Sequence, residues 1–500
     1  MKVLNLNLNL NLNLALALLL AGTLQACSDN SDSVNQANVD DQASVTAPDE
    51  SFASERSLVI EQAAPSLVAI DIGRAGGTHG DVIAFDAPIK SANGLSGKLS
   101  GIITTVDIME SGDVFQDRVA ELVFDFPEVG TLVVGGKSVY PFDGSGSEEM
   151  TVNNPQTRAV LGGTGEFLGA LGQVETTRNE DLTYRHSFDL VGLRQWSAAA
   201  PAPAEQQTFT LKQAATDMVY VDLGQESASH GDLLAFEAPF TSEQGLDGEH
   251  SGIIITVDIP EPGEETFQDR VVKSVFDFGQ GATVMMFGRS GYLADASGVD
   301  ELAFNQPVIK PIVGGTGDLV GARGQVITTR QEDGSYTQEF QLVDMTLPDA
   351  ASTPEETTLT LDQALPFLAH VDVGLEGSSH GDVLAFDAEV TSQDGLLGKL
   401  SGLITTVTIP EPGDLAFKDR IVHIVFDFGS ANTVVVGGKS RYPFDGSAIS
   451  EFEKRVPQVR SIIGGTGNFR AAQGQVITTR NDDGGYTHEL RFTGAWQPGM

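Results

Sequence analysis

Val119-Ala120-Glu121-Leu122-Val123-Phe124-Asp125-Phe126 returns as Val271-Val272-Lys273-Ser274-Val275-Phe276-Asp277-Phe278, and again as Ile421-Val422-His423-Ile424-Val425-Phe426-Asp427-Phe428. The side chains alternate. One face of the first copy reads Ala120, Leu122, Phe124, Phe126, and the other reads Val119, Glu121, Val123, Asp125. In the later copies Glu121 becomes Lys273 and His423, so the second face accepts an acid, a base or an imidazole. A period of two with one greasy face marks a half-buried antiparallel strand. The second face is expected on the wetter side, with its aspartate in a structural role.

The repetition reaches well beyond this strand. His79-Gly80-Asp81, His230-Gly231-Asp232 and His380-Gly381-Asp382 mark three copies. Each copy closes on a glycine cluster, Leu161-Gly162-Gly163-Thr164-Gly165, Val313-Gly314-Gly315-Thr316-Gly317 and Ile463-Gly464-Gly465-Thr466-Gly467. The period is roughly 150 residues against about 20–50 for solenoid repeats, so the copies are tandem domains. Copy one contains strand-like runs at Ser66–Ile72, Val82–Phe85, Gly101–Ile108, Val119–Phe126, Thr131–Val134, Ala159–Leu161, Gly172–Thr177 and Tyr184–Val191, punctuated by Gly, Asn, Asp and Pro. No stretch has a helical period. About eight strands per copy and no long helix predict an all-β chain of three tandem antiparallel closed β-barrels, because closure removes exposed strand edges. The expected barrels span 57–196, 207–347 and 357–497. The Pro-containing linkers between them, Ser197–Gln206 and Pro348–Glu356, should be partly extended.

The N-terminus reads as an address. Lys2 precedes a Leu-Asn alternation, then an apolar run of 11 residues from Leu14 to Leu24. That is too short to span a bilayer, which takes about 20 residues, and suits the core of a secretory signal. Cys27 is the only cysteine. Leu24-Gln25-Ala26-Cys27 resembles a bacterial lipobox, which implies a signal peptide over 1–26 and lipidation of Cys27. By resemblance to Gram-negative lipoproteins, Ser28 in place of an aspartate implies the outer membrane, on its periplasmic or cell-surface face. Residues 27–56, rich in Ser, Asp, Asn and Gln, are expected to form a disordered tether. With one cysteine, no disulfide can staple the domains.

The formal net charge is -40, from 29 basic and 69 acidic residues. This argues against nucleic acid, whose binding needs a basic surface, and against docking on anionic lipid. Membrane contact is expected only through the N-terminal lipid.

The glycine cluster continues as Gly464-Gly465-Thr466-Gly467-Asn468-Phe469-Arg470-Ala471-Ala472-Gln473-Gly474. Copy one keeps Phe167, Ala170 and Gly172, and copy two has Leu319, Ala322 and Gly324. This frame, together with Gly80-Asp81 followed by Phe85, resembles the allene oxide cyclase and dirigent barrel superfamily. The resemblance implies small barrels that assemble in threes, hence a covalent pseudo-trimer here. It also implies cofactor-free chemistry, either cyclisation of an epoxide or steering of radical coupling. It carries over no catalytic set.

The chemistry-bearing candidates are few. Gly163-Thr164-Gly165 lacks the third glycine of a dinucleotide loop, since Leu168 stands there, and no helix is expected to follow. Gly136-Lys137-Ser138 and Gly438-Lys439-Ser440 lack the first glycine of a phosphate loop. With Arg289 in copy two, a basic residue recurs there, and a salt bridge is the expected role. No metal or cofactor pattern stands out. His79 and Asp81, His230 and Asp232, and His380 and Asp382 are candidate catalytic pairs, because a carboxylate beside an imidazole fixes its tautomer for base catalysis. If the strand begins at the histidine, His79, Asp81, Ile83 and Phe85 share a lumen-facing side. The competing role for the aspartate is to cap a turn. Arg178, Arg330 and Arg480 end the Gly-Gln-Val-x-Thr-Thr-Arg strand as candidate ligand-binding cations, with a rim position as the alternative.

Three functions follow as expectations. The first is an exported binder of a small apolar or phenolic ligand in the barrel lumens. The second is a cofactor-free cyclase, isomerase or stereochemical guide. The third is a structural or adhesive surface protein with filled barrels.

Overall fold

The computed structural model describes residues 56–191, 207–343 and 357–493, short of a few loop residues within each block. The expected leader, Cys27, nearly all of the expected tether and both expected linkers lie outside the described residues.

The first block holds nine strand segments: β1 (Arg56–Gln62), β2 (Ser66–Ile70), β3 (Val82–Ser91), β4 (Ser96–Ile108), β5 (Phe115–Phe126), β6 (Gly130–Pro141), β7 (Gln156–Gly163), β8 (Leu171–Arg178) and β9 (Tyr184–Val191). They are antiparallel in the order β1-β9-β8-β7-β6-β5-β4-β3-β2, and β1 also pairs with β3. The register explains how nine segments close an eight-stranded barrel. β1 sets Ile60–Gln62 opposite Ile89–Ser91 at one end of β3. β2 sets Ser66–Ile70 opposite Val82–Asp86 at the other end. Between them, residues 63–65 leave the ladder, so one strand is split in two, and residues 214–216 interrupt barrel 2 at the same place without a proline. β1 lies outside the eight runs read from the sequence, because Leu58-Val59-Ile60 is a continuous apolar triplet without alternation. Gln207–Leu342 and Thr357–Phe492 repeat the same order, giving three closed barrels in tandem.

The Phe face of β5 fills the lumen of barrel 1, where Ala120, Leu122, Phe124 and Phe126 pack with Ile60, Phe85, Leu99 and Phe188. The glycine cluster makes a bend. A Cβ on Gly163 would stand 2.4 Å from the Phe167 carbonyl oxygen, and Gly165 has φ +59°, open to glycine at little cost. Only a single 3-10 turn, Gly165–Phe167, follows.

The other face of β5 is not wet. Val119, Glu121 and Val123 are 1, 2 and 0% exposed. The barrels pack on one another, and what a lone barrel would show to water here faces a neighbour. Val123, Val275 and Val425 join a shared core with Leu161, Val313 and Ile463, taken from all three barrels. Within it, the Glu121 carboxylate receives Lys273 Nζ at 2.8 Å and His423 Nδ1 at 2.6 Å. These are the same repeat position in three barrels. Burial alone would raise the Glu121 pKa, but the Lys273 ammonium and the His423 ring hold it down at about 2.

Ion pairs ring this core. Lys98 of barrel 1 reaches Asp258 at 2.6 Å and Asp269 at 2.8 Å in barrel 2. Lys399 of barrel 3 reaches Asp107 at 2.5 Å and Asp117 at 3.4 Å in barrel 1. The recurring basic residue is ion-paired as well, between barrels rather than within a loop. Lys137 meets Asp427 at 2.9 Å, Lys439 meets Asp277 at 3.3 Å, and Arg289 meets Asp125. The aspartate of Phe-Asp-Phe is thus structural, as a junction partner.

Candidate functional site: the barrel lumens

The His-Gly-Asp segments sit where barrels meet. β3 begins at Val82, one residue after Asp81, so its alternation carries Ile83 and Phe85 to the lumen without including His79 or Asp81. Asp81 instead accepts the Ile72 N–H at 3.0 Å, the Thr78 N–H at 2.5 Å and the Thr78 hydroxyl at 2.9 Å. Asp382 does the same with Val373 and Ser379, and Asp232 with Leu223 and Ser229. Burial raises the Asp81 pKa against these bonds. Gly80 has φ +86°, and a Cβ there would stand 2.5 Å from Val371 Cγ2 of barrel 3. Gly231 meets Ile70, and Gly381 meets Val221, in the same way. The His79 ring centroid lies 5.7 Å from that of Phe367 of barrel 3. His230 and His380 are half-buried, and burial lowers the His380 pKa against the pull of Asp382. None of the six residues lines a lumen cavity.

Arg178, Arg330 and Arg480 are rim cations that already have partners. Arg178 pairs with Glu149 and donates to the Met150 carbonyl at 3.2 Å. Arg330 pairs with Glu301 and Arg480 with Glu451, each also reaching the following carbonyl. They pin a loop across the barrel end.

The lumens themselves hold a polar set that the sequence reading missed. Barrel 1 has a cavity of about 40 Å³ on which Gln62, Tyr140, Arg158, Thr176, Tyr184 and His186 converge. Arg158 is 2% exposed and donates to the Tyr140 hydroxyl at 3.3 Å. His186 bridges Thr176 Oγ1 at 3.0 Å and Gln62 Oε1 at 2.8 Å. Burial, helped by the Arg158 charge, pushes its pKa down to about 3, so the ring is neutral. Barrel 3 repeats the set around a cavity of about 50 Å³ with Gln363, Tyr442, Arg460, Thr478, Tyr486 and His488. Barrel 2 varies it around a cavity of about 50 Å³. Gln338 stands in the histidine position, His250 bonds Gln213 at 2.8 Å from another strand, and Lys310 replaces the arginine. Among the described residues, no carboxylate pairs with Arg158, Lys310 or Arg460. A signal was present in the sequence. Each cation stands two residues before a lumen-facing Val160, Ile312 or Ile462, so period two places it inside.

One acidic trio among the described residues has metal-ligand spacing. Single oxygens of Glu237, Glu249 and Asp419 lie within 4.8 Å of one another. Lys439 already contacts Glu249 at 2.7 Å and Asp419 at 3.1 Å, so the trio is a junction ion-pair cluster.

No family profile matches the chain, and no curated protein matches it. Among solved structures, a chain described as a pyocyanin demethylase is similar at 17% identity and a TM-score of 0.22, over 28% of this chain and 100% of that one. At that score the likeness carries no functional argument.

Proposed function

We propose that the chain is an exported, lipid-anchored carrier whose three covalently joined barrels each hold a small phenolic or otherwise apolar molecule, with its oxygen on the lumen cation. The observation that carries this reading is the placement of Arg158, Lys310 and Arg460. Each is a buried basic side chain on the wall of a cavity, with no carboxylate partner among the described residues. An unpaired buried charge costs several kcal/mol, and a phenolic or carbonyl oxygen offsets that cost. The remaining wall, with Ile83, Phe85, Leu122 and their counterparts, suits an apolar body. The leader and Cys27 supply export and anchor, and the core shared by all three barrels supports their action as one pseudo-trimer.

The cavities also favour a second reading, a structural surface protein with filled barrels. A benzene-sized guest needs about 150 Å³, so a ring enters only if side chains such as Leu67 and Met150 swing aside. Titration of the full chain with 4-methylphenol, followed by native mass spectrometry, separates the two. The carrier binds three equivalents, and Arg158→Met, with folding checked by its melting curve, binds two. No bound phenol leaves the structural reading standing.

A further inference from the structure

The second lumen differs from the other two in a chemically decisive way. Arg158 and Arg460 are guanidinium groups, which do not act as nucleophiles at neutral pH. Lys310, at the same repeat position, is a primary amine, 2% exposed, with no hydrogen bond or ion pair among the described residues. It lines the cavity together with His250, which occurs only in this barrel at that position, where barrels 1 and 3 have Leu99 and Leu400. His250 Nδ1 faces the Gln213 carbonyl oxygen at 2.8 Å, which assigns the ring proton to Nδ1. Its Nε2 is then a bare lone pair, buried and without a partner. A buried amine and an unpartnered imidazole nitrogen on the wall of one cavity are a combination that neither of the other lumens contains.

We propose that Lys310 forms a reversible imine with the carbonyl of a short-chain aldehyde that enters the second barrel. The inference rests on the reading that the lumens admit guests. The amine nitrogen attacks the carbonyl carbon, the C–N bond forms, and the carbonyl oxygen takes up the proton released by nitrogen. The carbinolamine then loses water as C=N forms. The balance is amine plus aldehyde giving imine plus water, with no oxidant or reductant. The cavity of about 50 Å³ takes a carbonyl and a short chain without the side-chain movement that a ring requires, and its half-buried end at Thr216 and Met218 gives the chain an exit. Burial pushes the Lys310 pKa down to about 7, so much of the amine is neutral near that pH.

The test treats the full chain with propanal and cyanoborohydride at pH 7, then maps propylated lysines by peptide mass spectrometry. Lys310 should saturate at lower aldehyde than exposed Lys90 and Lys212, and its labelling should fall about tenfold per pH unit below 7. Lys310→Arg copies the residue of the other lumens and should lose the label. Arg158→Lys should gain one in barrel 1. A bare Lys310 alongside a labelled Lys212 overturns the inference. If 4-methylphenol still binds in that case, the carrier reading survives. A labelled Lys310 in a chain that binds no phenol sustains the imine and ends the phenol reading.

Discussion

Lumen and axis treat the threefold repeat in opposite ways. The lumen set Gln62, Tyr140 and Thr176 reappears as Gln213, Tyr292 and Thr328, and as Gln363, Tyr442 and Thr478. The axis puts Glu121, Lys273 and His423 at one repeat position. Each lumen is enclosed within its own barrel, so this Gln-Tyr-Thr frame recurs at no cost, and barrel 2 changes only what surrounds it, with Lys310, Gln338 and His250. An axial position meets its own copies. Three glutamates or three lysines there would be like charges in a low-dielectric core, which strongly disfavours burial. Joining the barrels in one chain lets the three axial residues differ and neutralise one another, which a homotrimer of identical barrels cannot do.

The largest expected effect comes from breaking the axis. Glu121→Gln leaves the Lys273 ammonium buried without its carboxylate and should cost about 3–5 kcal/mol, read by urea denaturation. Replacing the trio together, as Glu121→Leu, Lys273→Met and His423→Leu, should recover most of that loss. A loss below about 1 kcal/mol for Glu121→Gln would mean that the axis matters no more than an exposed surface pair.

Acid should expose the same group. The Glu121 carboxyl is held at about 2 in the folded chain against an ordinary 4.5, so on acidification the unfolded chain takes up the proton first. Its contribution is complete above pH 4.5 and drains away as the pH falls toward 2, about 3 kcal/mol in all. Many acids share in acid unfolding, so the readout is a difference. The stability curves of the native chain and Glu121→Gln should converge between pH 4.5 and pH 2. Parallel curves would remove Glu121 from the account.

The smallest effect tests the junctions. Lys98 and Lys399 bridge carboxylates across two of them, while the third has Glu249 at the same repeat position, beside Glu237 and Asp419. Burial, with Glu249 and Asp419 close by, raises the Glu237 pKa. Glu249→Lys should restore the bridge and raise stability by about 0.5 kcal/mol, since the groups are part exposed. A lower melting temperature would show that Lys439 alone serves this junction better.

Much of the barrel was legible because alternation is a local signal. Phe124 and Phe126 declared an inward face, and Gly163 and Gly165 declared a bend. The second face of β5 was misread because a Glu, Lys or His beside valines looks the same whether water or another barrel covers it. The His-Gly-Asp pairs drew attention because two chemical residues stand close in sequence. The structure gives Asp81 to a turn and Gly80 to Val371 of another barrel. Arg158, Lys310 and Arg460 passed unnoticed because their strand was read as Ala159–Leu161, just short of them.

By itself the sequence determined that one β-module is present three times, that each module closes on itself with a greasy interior, and that the chain is strongly acidic. Those properties are written in residue order and composition. Only the tertiary structure decided that the second face of β5 is buried, that Glu121 meets Lys273 and His423, and that a buried basic side chain lines each lumen. Each of these depends on residues far apart in sequence coming within a few ångströms, and a period of two carries no information about what lies on the far side of a strand.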